Sequence, residues 1–121
     1  MALSAVAPLL QVAEAFSVEL VYSKGSECST SKSHVLNRWK INGTANECLE
    51  YNIPGAQSVK AKNCHPDPDD NFCHCLLFSG TGGTKCSGDV AVVQNDRTGT
   101  RTGACVSPPW EPEWVICSSS P

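Results

Sequence analysis

Cys73-His74-Cys75-Leu76-Leu77-Phe78 is the stretch from which the fold is read. In an extended segment alternate side chains share a face, so Cys73 and Cys75 project together, and a bond between them would close a severely strained ring. Each is therefore expected to bridge to a different strand. The remaining cysteines are Cys28, Cys48, Cys64, Cys86, Cys105 and Cys117, which brings the count to 8, an even number. Eight cysteines allow about 105 pairings, and beyond that one constraint the residues leave the pairing open. Four bridges at ~2–4 kcal/mol each would matter greatly in a chain too short to bury a large core.

Working outward, short apolar runs alternate with turn signals. Phe16, Val18, Leu20 and Tyr22 share one face of a strand, and Val35, Trp39 and Ile41 share one across His34 to Ile41. Leu49, Tyr51 and Ile53 alternate and stop at Pro54-Gly55, the pair that fills the central positions of a type II turn. Gln57 to Lys62 reads as a weaker strand around Val59. Beyond Phe78, Gly80-Thr81-Gly82-Gly83-Thr84 tolerates positive φ and leads to Val90-Ala91-Val92-Val93, so this pair is a hairpin or a crossing between sheets. Gln94 to Gly103 is polar and turn-like; Trp114-Val115-Ile116-Cys117 is the last strand, with Trp114 and Ile116 expected on the core side. Seven or eight strands at such spacing predict an all-β fold. We expect a small antiparallel sandwich or barrel, with a Greek key among the orders open to it, stapled by about four disulfides.

Composition agrees with this. The chain has 121 residues, and Gly (9), Pro (8), Ser (14) and Thr (7) make up 38 of them, as a turn-rich β protein requires. A hydrophobic share of 40% with 17% charged residues excludes a disordered chain. A net charge of -3 gives no footprint for nucleic acid or an anionic membrane, so neither is expected as a partner. No run approaches the ~20 apolar residues of a membrane span.

Residues 1–15 carry Leu3, Val6, Leu9, Leu10 and Val12 and end in Ala13-Glu14-Ala15, an A-x-A cleavage pattern. They read as a secretory signal, short or truncated, because no Lys or Arg stands near the start and Pro8 interrupts the apolar core. A structured N-terminal helix is the alternative. Cleavage after Ala15 leaves a single disulfide-rich domain over 16–121, in an oxidising compartment where bridges persist. Asn42-Gly43-Thr44 is a glycosylation sequon at Asn42.

Two metal readings compete with this one. Cys64-His65 with Cys73-His74-Cys75 gathers soft ligands, but structural zinc prefers C-x2-4-C pairs and reduced thiols. Pro66-Asp67-Pro68-Asp69-Asp70-Asn71 offers hard oxygens, yet it lacks the glycine and distal Glu of a calcium loop and reads as a solvated turn. No metal and no cofactor is expected. Gly80 to Lys85 lacks the P-loop spacing.

A small secreted hydrolase, ribonuclease- or glycosidase-like, would need paired acid and base groups. The candidates are His34, His65 and His74 with Glu47, Glu50, Glu111 and Glu113, and their spacing selects no pair; no G-x-S-x-G is present. The tryptophans offer a different class of site. Trp110 lies among Pro108, Pro109 and Pro112, a rigid setting in which its ring either folds back as a lid or is displayed to a partner. Displayed, it would stack on a sugar or anchor a protein contact, with Glu111 and Glu113 at the rim.

Several elements together resemble small cysteine-rich secreted fungal proteins, effector-like and with a similarity to killer-toxin and βγ-crystallin-like Greek-key proteins. They are Ala56 to Lys60, Cys75 to Gly80, Cys86-Ser87-Gly88, Gly103 to Val106 and Trp110 to Cys117, roughly the C-terminal half. The stretch Asn63 to Asn71 and the doubled Cys73-His74-Cys75 depart from that pattern. The resemblance implies an extracellular effector or toxin-like protein that recognises a host or competitor protein or a cell-wall glycan without chemistry of its own. The hydrolase and a cell-wall-associated structural protein are the alternatives.

Overall fold

The alternation of the first apolar run decides where the core lies. In the computed structural model, which describes residues 16–42, 46–81, 83–98 and 105–121, this run forms β1 (Ser17–Ser23). Phe16, Val18, Leu20 and Tyr22 are all buried in one core cluster, as the alternation predicts. β2 (Val35–Asn42) and β4 (Ser58–His65) pair antiparallel on its two sides, giving a three-stranded sheet of order β2-β1-β4. The second sheet, of order β3-β7-β5-β6, is built from β3 (Leu49–Glu50), β5 (Phe72–Phe78), β6 (Val90–Asp96) and β7 (Trp114–Ser120). Its pairings are also antiparallel, and β5 and β6 form a hairpin.

The inner faces of both sheets meet in one cluster. Val59, Ala61 and Cys64 of β4 join Cys73, Cys75 and Leu77 of β5, Val93 of β6, and Val115 and Cys117 of β7. The buried Asn95 side chain donates to the Ala61 carbonyl at 2.7 Å, fastening β6 to β4. Tyr51, half-buried, stacks on Trp39 with ring centroids 3.9 Å apart and tilts against Tyr22 at 5.3 Å. The turn at Pro54-Gly55 has the expected form: Gly55 takes φ 86° and the Ala56 amide donates to the Ile53 carbonyl at 3.0 Å.

Four disulfides staple the fold: Cys28–Cys105, Cys48–Cys86, Cys64–Cys73 and Cys75–Cys117. Cys73 and Cys75 indeed reach two different strands, β4 and β7.

Two expected strand phases are corrected. In β2 the pairing slips between Tyr22 and Ser23, so Val35 pairs with Ser23 off the core face while the inserted Leu36 packs on the core. In β7 the buried residues are Val115 and Cys117, whereas Trp114 and Ile116 lie half-buried on the outer face. Disulfide-bonded Cys117 must face Cys75 inside, and that fixes the phase of the strand.

Candidate functional site

Side chains not needed for the core project from the two outer faces, and the sequence sorts them differently. On the three-stranded sheet, Glu19 of β1 lies opposite Lys40 of β2 and Lys62 of β4, and the next outward row sets Val21 between Arg38 and Lys60. Four of the 9 Lys and Arg residues thus stand on one face, as two cationic rails about 10 Å apart with a spacing of about 7 Å along each strand. Among the described residues none of these four side chains has an ion-pair or hydrogen-bond partner.

A cavity of about 300 Å³ opens on this face, lined among the described residues by Glu19, Lys40, Asn63 and His65. Its geometry comes from a bulge. Ser17 pairs with His65 and Glu19 with Lys62, so β4 carries an extra residue between them, and Asn63 takes φ 53°. Asn is among the few residues that tolerate that left-handed conformation. The bulge aims the Asn63 amide at Glu19, to which Nδ2 donates at 2.7 Å. Glu19, Lys40 and Asn63 were not among the residues singled out from the sequence; the alternations Arg38-x-Lys40 and Lys60-x-Lys62 are the signal that marks this face.

The outer face of the four-stranded sheet is apolar at the Phe78 end of β5 and polar beyond it, where His74 stands between Gln94 and Ser118. Val92, Leu76 and Ile116 form one cross-strand row, and Val90, Phe78 and Trp114 the next. Val90 is 53% and Val92 43% exposed, and the other four are half-buried.

The residues expected in a site from sequence are placed as follows. Trp110 is half-buried and packs against the core. The Glu111 carboxylate accepts hydrogen bonds from Asn52 Nδ2 at 3.1 Å and from the Gly55 amide at 3.0 Å. Those two bonds hold its pKa below the usual carboxylate value, the Asn52 bond contributing more. Glu113 is exposed; its amide donates to the Phe78 carbonyl and its carbonyl accepts from the Tyr51 amide. Asn42 is the exposed last residue of β2, and 43–44 of its sequon lie outside the described residues, as does the expected export signal, 1–15.

The histidines are held apart. His34 is exposed and its Nδ1 lies 2.7 Å from Ser31 Oγ; His65 borders the cavity; His74 lies on the outer face of the other sheet, paired with Gln94 and Ser118. All eight cysteines are oxidised, so the thiolates a zinc site needs are occupied by bridges. The Pro66–Asn71 turn is held by Arg97, whose guanidinium donates to the carbonyls of Asp67, Pro68 and Asp70. The Ser119 hydroxyl lies 3.1 Å from Asp67 Oδ2 and 2.6 Å from Asp70 Oδ2, so that these carboxylates accept from the protein itself. Among the described residues no helix is long and apolar enough to cross a membrane, and no cluster of three or more His, Cys, Asp or Glu could hold a metal ion.

No family model matches the chain, and no curated protein and no solved structure is found to be similar to it.

Proposed function

We propose that the protein is exported and acts by recognition, engaging a partner protein through the apolar half of the outer face of the four-stranded sheet. The observation that carries this reading is the double row Val92-Leu76-Ile116 and Val90-Phe78-Trp114. Outward positions of a half-buried sheet ordinarily hold polar residues, and a contiguous apolar patch there marks an interaction site. Four aliphatic side chains with Phe78 and Trp114 beside them have the composition of the apolar core of a protein interface. Four bridges in so short a chain support an extracellular setting, and the A-x-A motif before Phe16 supports cleavage there.

Intact mass of the secreted protein tests the first half: the expected species begins at Phe16 and gains eight alkyl groups only after reduction. The second half is tested by Val90→Lys/Val92→Lys in a growth-inhibition or toxicity assay on target cells. Recognition predicts loss of effect with an unchanged thermal transition. Turnover of RNA or a polysaccharide that disappears on replacing a single histidine would overturn the reading in favour of a hydrolase.

A further inference from the structure

The geometry points to a second binding site on the opposite side of the molecule: the outer face of β2-β1-β4 binds a polysaccharide of uronic acids. Charge comes first. Arg38 and Lys40 on one side of β1, and Lys60 and Lys62 on the other, are free of ion pairs among the described residues, although the chain as a whole is acidic. Cations concentrated against the net charge select an anionic ligand and raise its local concentration. Their arrangement selects a linear one. A polymer lying along β1 meets a cation on both flanks at two successive outward positions, Glu19 and Val21, which suits carboxylates that alternate from side to side of an extended chain.

The cavity gives the ligand class. Glu19 and Asn63, coupled at 2.7 Å, present an acceptor and a donor together, with Lys40 and His65 beside them. A carboxylate paired with an amide is suited to adjacent hydroxyls, and Lys40 to the carboxylate of the same ring. At about 300 Å³ the cavity is at the small end of ligand sites, matched to a single sugar ring. Nucleic acid fits less well. The strand positions of this face carry no Phe, Tyr or Trp on which bases could stack. This site is independent of the apolar face, so either can fail alone.

The test is calorimetric titration of the secreted protein with polygalacturonate oligomers, with neutral dextran and single-stranded RNA as controls. We expect saturable binding to the uronate that weakens with salt, no binding to dextran, and weaker binding to RNA. Lys40→Gln/Lys62→Gln is expected to lower uronate affinity at least tenfold. Asn63→Gly retains the backbone conformation of the bulge and removes the amide, so it is expected to weaken oligomer binding while the thermal transition stays in place. Absence of uronate binding, equal or tighter binding of RNA, or affinity unchanged in both variants would each overturn the assignment.

Discussion

The Glu111 carboxylate accepts the backbone amide of Gly55 at 3.0 Å, joining residues 56 apart in sequence. Through it the proline-rich segment before β7 holds the Pro54-Gly55 turn. Glu111→Ala is expected to speed hydrogen exchange at the Gly55 amide selectively, read by NMR, with β1 and β5 amides unchanged. Because these bonds lower the Glu111 pKa in the folded state, the contribution is present at neutral pH and lost as pH falls through the folded value. The protection factor of the Gly55 amide, its exchange relative to the intrinsic rate at each pH, should therefore fall in that acid range, and Glu111→Ala should abolish that fall.

Tyr22 carries a hydroxyl that is buried without a hydrogen-bond partner among the described residues. A buried unsatisfied polar group costs stability, so Tyr22→Phe should leave stability unchanged or raise it by up to about 1 kcal/mol in urea unfolding. Burial, and secondarily the neighbouring Tyr51, also raise the Tyr22 pKa well above its ordinary 10.0. Above about pH 10 the unfolded chain releases a proton that the folded chain retains, so stability should fall as pH rises beyond that value. Tyr22→Phe should flatten that alkaline limb, with phenolate absorbance as the readout.

Gly88 adopts φ 92°, and a Cβ there would stand 2.3 Å from Ser79 Oγ and 3.0 Å from the Thr81 amide nitrogen. The Ser79 hydroxyl also accepts the Asp89 amide at 2.9 Å, so the glycine-rich loop closes around it. Gly88→Ala should destabilise the protein by roughly 1–3 kcal/mol, measured by chemical denaturation.

Cys28–Cys105 closes the longest loop, with a separation of 77 residues. Chain entropy alone assigns such a bridge about 4.5 kcal/mol. Cys28→Ser/Cys105→Ser should lower unfolding free energy by an amount of that order, and a loss below about 1 kcal/mol would refute the entropic account.

Period-two patterning was enough where one face of a strand is apolar and the other polar, as in β1, and where a turn has a chemical signature, as at Pro54-Gly55. It failed in β7, because Trp114, Val115, Ile116 and Cys117 are all apolar and alternation alone cannot say which pair turns inward. It failed in β2 because one inserted residue exchanges the faces beyond it. The cationic face was hidden for a different reason. A net charge is a sum over the chain, whereas recognition depends on which charges the pairing of β2, β1 and β4 assembles. The Glu19–Asn63 contact spans 44 residues and depends on a bulge that no local pattern announces.

The bridges also decide how the molecule responds to being cut. Cys28–Cys105 and Cys75–Cys117 overlap, so every peptide bond between residues 28 and 117 lies within at least one covalent ring. A protease that severs any one of them produces two peptides but still a single molecule, with the same mass plus one water. On a non-reducing gel the nicked chain would stay one species, and only a reductant would release the fragments.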